Sequence, residues 1–154
     1  MNSALAFSIF AGVSLSPISI EKYDNLEFLC LAKNIYHEAK NQSYSGMLGV
    51  GQVTINRTKS SYWPNSICEV VYEGAERKNK CQFSWTCDNT VDSVDFSSRA
   101  WSMALSAAHS TIGEHIDVVG EATHFHADYV NPYWAAKFTR IIKIDNHIFY
   151  KEQR

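Results

Sequence analysis

Apolar residues recur at helical spacing early in this chain and alternate late in it. Leu26, Leu29, Ala32, Ile35, Tyr36 and Ala39 return every three or four positions, which predicts an amphipathic helix over residues 26 to 40. Asp24-Asn25 offers its N-cap, since a short polar side chain can accept a hydrogen bond from an orphan first-turn amide. Asn41-Gln42 breaks the pattern, and Ser43 caps a second helix over roughly residues 44 to 60. There Met47, Leu48, Val50, Val53 and Ile55 cover a wide arc, so burial on most sides is expected, with Gly49 and Gly51 admitting a neighbouring backbone. Gln52 and Asn56, four residues apart, share one face of it.

Tyr62-Trp63-Pro64-Asn65 reads as a turn, and Ser66 caps a short helix through Tyr72. Residues 73 to 96 are polar and irregular, apart from the β-prone run Gln82-Phe83-Ser84-Trp85. Ser97 to Ile112 predicts another helix, with Trp101, Ala104, Leu105 and Ala108 on one face and Gly113 as its stop. The period then changes. Ala122 to His126 alternates as a strand does, and Phe138–Ile144 and His147–Tyr150 flank Asp145-Asn146 as a terminal hairpin. Helices first and a small antiparallel sheet later predict an α+β domain.

With 154 residues and 45% of them hydrophobic, the chain suits one core, placed over residues 23–154. Residues 1–22 read as an apolar N-terminal extension. Its stretch Ala4–Ile20 carries no charge, yet it lacks a basic leader, and Pro17 and several Ser suit a permanent membrane span poorly. Export, anchoring and docking on a partner all stay open. The net charge of -2, with no basic run, gives no sign of a nucleic-acid partner. Cys30 falls in an apolar helical stretch and reads as a buried free thiol. One disulfide among Cys68, Cys81 and Cys87 is expected if the protein is exported.

Several chemistries are missing from the sequence. It has no glycine-rich phosphate loop and no G-x-S-x-G elbow, and His37-Glu38 lacks the second His of H-E-x-x-H. Glu38 is different. It stands among Ile35, Tyr36 and Ala39 near the negative end of the first helix, where a carboxyl favours its neutral form. Such a group can protonate a leaving oxygen near neutral pH; the plainer alternative is a surface Glu on an amphipathic helix. His124 and His126 share a strand face and could bind a metal with His37, but with no carboxylate or Cys at an obvious third-ligand position beside them they read better as hydrogen-bonding groups lining a groove or packed in the domain. Neither a metal nor another cofactor is expected.

Four ordered blocks then carry a resemblance. Leu31 to Ala39 followed by Gly46, Val53 and Ile55-Asn56-Arg57, then Trp63 to Tyr72, then Cys81 to Asp88, then Ala122 to Trp134 together resemble the SleB-type cell-wall hydrolase family, which includes spore cortex-lytic enzymes. The ending His147 to Tyr150 resembles the family's terminal hairpin, and coverage runs over about residues 28 to 150. The resemblance implies a small lysozyme-like α+β domain acting on peptidoglycan, with Glu38 as the catalytic residue. It also implies a groove lined by Gln82, Phe83, Ser84 and Trp85, by His124 and His126, and by Tyr129, Asn131 and Trp134. His37 and Asn41-Gln42 depart from the family's commoner residues beside that Glu.

The expected reaction follows from what is lacking. A glycoside hydrolase ordinarily uses two carboxylates at defined separation, and beyond Glu38 no second acid stands out in the matched blocks, Asp88 and Asp128 being the nearest candidates. A lytic transglycosylase needs one, which acts as acid and then as base while the muramyl 6-hydroxyl closes a 1,6-anhydro ring. Two other classes stay in view: a binding module that holds peptidoglycan without cutting it, and a metal-dependent hydrolase built on His124 and His126. A monomer is expected unless the chain is carried in a virion. The setting is the cell wall or periplasm after export, or a phage particle, with membrane contact or virion docking assigned to the N-terminus.

Overall fold

The computed structural model describes residues 24–77, 80–88, 93–114 and 116–153, so the apolar N-terminal segment lies outside the described residues. Helix α1 (Asn25–Ala39) begins where Asp24 caps it, the carboxylate accepting from Glu27 N at 2.9 Å. Helix α2 (Tyr44–Thr58) starts at Ser43, whose hydroxyl accepts from Gly46 N, and the short α3 (Ile67–Val71) starts at Ser66. Glu27 also reaches across to accept from the backbone amides of Ile67 and Cys68, at 2.5 and 3.3 Å, which fastens α3 to α1. A disulfide between Cys30 and Cys68, Cα atoms 5.3 Å apart, joins the same two helices. Cys30 is therefore not a free thiol; its apolar helix face is the one that α3 packs on. Cys81 pairs with Cys87.

Helix α4 (Arg99–Gly113) packs with α1 and α2 around Leu31, Ile35, Met47, Val50, Trp101 and Ala104. The β-prone run at Gln82–Trp85 forms no strand. Ser84–Thr86 is a single 3₁₀ turn, because Trp85 is drawn inward to donate from Nε1 to Asn34 Oδ1 at 2.9 Å. Burying that indole beside a fully buried amide satisfies both groups, which an exposed strand would not do.

Three antiparallel strands follow, β1 (His124–Ala127), β2 (Thr139–Ile144) and β3 (His147–Lys151), in the spatial order β1-β3-β2. Phe125 stands opposite Phe149, and a bulge offsets β2 between Arg140 and Ile142. A second apolar cluster of Val53, Val119, Ala122 and Phe149 seats the sheet on α2. The hairpin turn at Asp145, with φ 50°, docks on the start of α2: its carboxylate accepts from Ser43 N at 2.8 Å and from the Ser43 hydroxyl at 2.6 Å. Asn146 N donates to Gln42 Oε1 alongside, at 3.1 Å. Among the described residues no helix is long and apolar enough to cross a membrane.

The sheet can approach α2 only because Gly49 has no side chain. A Cβ there would lie 2.8 Å from Phe149 Cζ and 3.1 Å from Val119 Cγ1. Gly49→Ala is expected to destabilise the fold by about 1–3 kcal/mol, the usual cost of overpacking a tight interface, as read by urea denaturation at constant m-value.

Candidate active site

Glu38 stands one residue before the end of α1, where the docked hairpin forms the opposite wall of a groove of about 250 Å³. His37, Gln42, Ala127, Tyr129, Asn146 and His147 share that groove, along with Lys40 and Asn41. Among its described lining residues Glu38 is the sole carboxylate. The side chain is half-buried, and burial pushes its carboxyl up from 4.5 to about 7, against the opposing pull of the Arg57 guanidinium. Near neutral pH it is thus divided between acid and carboxylate, as a group that must give and take one proton requires.

Arg57 is 4% exposed and ties α2 to the strand, its Nε donating to the Thr123 carbonyl at 2.7 Å. Its guanidinium carbon lies 4.1 Å from the Trp63 ring centroid and 5.1 Å from that of Phe83. Burial lowers its pKa to about 10, while Glu73 and Glu38 support its charge, so it stays cationic at neutral pH. Glu73 is the acidic residue that, with Glu38, supports the charge of Arg57. Asp128 pairs with Lys143 at 2.6 Å.

His147 shares the groove as a buried imidazole whose pKa burial lowers, with Asp145 and Asp128 opposing that shift and His126 adding to it. Its Nδ1 is buried without a hydrogen-bond partner. The ring lines the groove with this nitrogen turned away from solvent. Nothing in the local pattern marks it, because its position depends on the contact between Asp145 and Ser43, 102 residues apart.

The other residues singled out from the sequence divide into three groups. Tyr129 lines the Glu38 groove, and Asn131 lies exposed two residues further along the chain. Phe83 and Trp85 are core residues. Trp85 stacks on His37 with ring centroids 4.4 Å apart and so supports the groove from beneath, while Gln82 and Ser84 are exposed on the same segment. His124, His126 and Trp134 form an aromatic cluster with Phe138 and Tyr150, which meets the groove wall at Ala127. Both nitrogens of His126 are engaged, Nδ1 with the Ala127 carbonyl at 2.8 Å and Nε2 with the Tyr150 hydroxyl at 3.0 Å. His124 Nδ1 meets the Thr123 hydroxyl at 3.0 Å. Among the described residues no group of three or more His, Cys, Asp or Glu is arranged to hold a metal.

The raised pKa of Glu38 has a consequence for stability. The folded state holds the Glu38 proton to higher pH than the unfolded chain, so this group costs no stability below pH 4.5, where both states are protonated. The cost grows as pH rises toward about 7 and then levels off. Glu38→Gln removes the titration. Its melting temperature relative to the wild type is expected to climb between pH 4.5 and 7 and to stay flat beyond, measured by calorimetry; a difference independent of pH would contradict the raised value.

A family model described as cell wall hydrolase matches residues 41–150, beginning just after Glu38. Over 51 residues the chain is 33% identical to the spore cortex-lytic enzyme of Bacillus subtilis (strain 168), a stretch covering 33% of this chain and 17% of that protein. The catalytic domain of the germination-specific lytic transglycosylase SleB from Bacillus anthracis superposes with a TM-score of 0.68 at 24% identity, over 84% of this chain and 97% of that domain. The catalytic domain of Bacillus cereus SleB gives 0.66 at 23% identity, over 84% and 92%. At that identity the structural likeness shows the fold, the small lysozyme-like α+β domain expected from the sequence. With the family model spanning most of its length, this chain belongs to the cell wall hydrolase family of enzymes.

Proposed function

We propose that this chain cleaves the glycan strand of peptidoglycan as a lytic transglycosylase, with Glu38 as its single acid/base. The observation that carries this reading is a half-buried carboxyl, raised to about 7, in a groove that no other described carboxylate lines. Two-carboxylate hydrolysis would need a second acid across the scissile bond, at one of two defined separations. The SleB relative from Bacillus anthracis is a lytic transglycosylase, which agrees with the one-carboxyl route. A binding module would have no use for a carboxyl held near neutrality by burial.

In the first step the protonated Glu38 donates to the glycosidic oxygen as the bond to the muramyl anomeric carbon breaks, and the departing sugar leaves as an alcohol. In the second, the Glu38 carboxylate takes the proton from the same muramyl residue's 6-hydroxyl as that oxygen bonds to the anomeric carbon. The product is a 1,6-anhydro ring, no water is consumed, and Glu38 ends protonated. Arg57 stabilises the carboxylate needed in the second step, its charge offsetting part of the cost of burial. Tyr129 holds the acetamido group from the groove wall, with Gln82 and Ser84 assigned to the same substrate from the neighbouring segment. The wall substrate places the enzyme outside the cytoplasm, as a phage lysin, a virion-borne wall-opening enzyme or a bacterial wall remodeller.

Glu38→Gln is isosteric and is expected to keep the wild-type circular dichroism while lowering the clearing rate of purified cell walls by about 10²–10⁴-fold, the usual contribution of a positioned acid/base. A folded, active Glu38→Gln would remove Glu38 from the mechanism. For the wild type, kcat/KM should fall about tenfold per pH unit above the Glu38 pKa of about 7, as the acid form is lost.

A further inference from the structure

A second, larger cavity of about 540 Å³ lies beyond the other end of β1, lined by Asn56, Ser60, Tyr62, Trp63 and Thr123 among others. Neither the Glu38 chemistry nor its groove uses it. Its volume falls in the range of small-molecule sites, about 300–1,000 Å³.

Three features of its wall point to a ligand. Trp63 has the Arg57 guanidinium over one face and His124 against it at 5.7 Å in T-shaped contact, so its remaining surface is held rigid where it lines the cavity. Asn56 spends both amide protons on the carbonyls of Gly120 and Ala122, each at 2.8 Å, which fixes its orientation and leaves Oδ1 as an acceptor. The charges cancel: Lys59 and Lys151 face Glu121 and Glu152, and Lys151 already pairs with Glu121. A flat aromatic surface, a fixed acceptor and no net charge suit a neutral, hydroxyl-bearing ring better than an ionic peptide.

One chain segment borders both the cavity and the proposed active site. Thr123 borders the cavity and Ala127 borders the Glu38 groove, four residues apart along one strand, or roughly 13 Å. A polymer of a few sugar rings spans that distance. Resting on the reading of this chain as a glycan-cleaving enzyme, we infer that the Trp63 cavity is an outlying saccharide-binding site that holds an N-acetylated pyranose of the same strand whose bond lies at Glu38.

Chemical-shift mapping by ¹H–¹⁵N NMR, on the Glu38→Gln full chain so that no substrate is consumed, tests this with chitotetraose and separately with a peptidoglycan stem tripeptide. Chitotetraose is expected to give saturable shifts at Asn56, Ser60, Thr123 and the Trp63 indole. Trp63→Ala, and Ser60→Tyr, which fills the cavity and leaves the Trp63 stack in place, should each weaken those shifts about tenfold. Ser60→Tyr keeps the test decisive if Trp63→Ala does not fold. Shifts confined to Lys40, Asn41 and Tyr129, no shift at the cavity, or a cavity response to the stem peptide instead of the sugar would each overturn the proposal. None of these outcomes bears on whether Glu38 cleaves, which is read from wall clearing by the wild type and Glu38→Gln.

Discussion

A row of polar side chains along α2 holds this molecule together. Gln52 accepts from the backbone amides of Val118 and Val119, at 2.8 and 3.1 Å, and donates to the Gly120 carbonyl at 2.8 Å. Asn56 takes the Gly120 and Ala122 carbonyls, and Arg57 takes that of Thr123. The loop that launches β1 is thus clamped residue by residue to a helix buried on nearly every side. Removing one member would leave buried backbone groups unpaired, each at a cost of about 1–3 kcal/mol. Both sides of the proposed site hang from this clamp. It sets where the strand begins, and through Arg57 it sets the charge that Glu38 feels.

The same helix turns fold into function at both ends. At its N-terminus, Ser43 holds the Asp145 carboxylate, which the hydrogen bonds keep below the usual carboxylate range. That contact brings the β2–β3 turn against the end of α1 and so creates the groove. At its C-terminus, Arg57 lies against Phe83 and against Trp63, which lines the cavity beyond. Burial of a carboxyl among apolar helix residues would otherwise push its pKa upward unopposed. The nearby guanidinium opposes that rise and lets Glu38 exchange its proton near neutral pH.

The legibility of the sequence follows the range of the interactions. Helix starts at Asp24, Ser43 and Ser66 are set by side chains three residues from the amides they cap, so the pattern shows them directly. The shared face of Gln52 and Asn56 also follows from helical spacing, whereas Gly49 and Gly51 meet the side chains of Phe149, Val119, Thr111 and Ile35 rather than the neighbouring backbone expected. What the pattern misplaced depends on contacts distant along the chain. Gln82–Trp85 has strand-like residues, yet Trp85 is claimed by Asn34, 51 positions away, and Cys30 by Cys68, 38 away. His147 and Asn146 enter the groove only through the hairpin's docking on residues 42 and 43. His124 and His126, alternating as expected, turn out to share an aromatic cluster with Trp134 and Tyr150.

The central claim is that one carboxyl both gives and takes the proton. Mass spectrometry of the soluble fragments released from purified peptidoglycan addresses it most directly. If Glu38 acts alone, the muropeptides end in 1,6-anhydromuramic acid and carry no added water. Reducing ends one water heavier would contradict the account, and would direct attention to Glu73 as a second carboxylate already coupled to the site through Arg57.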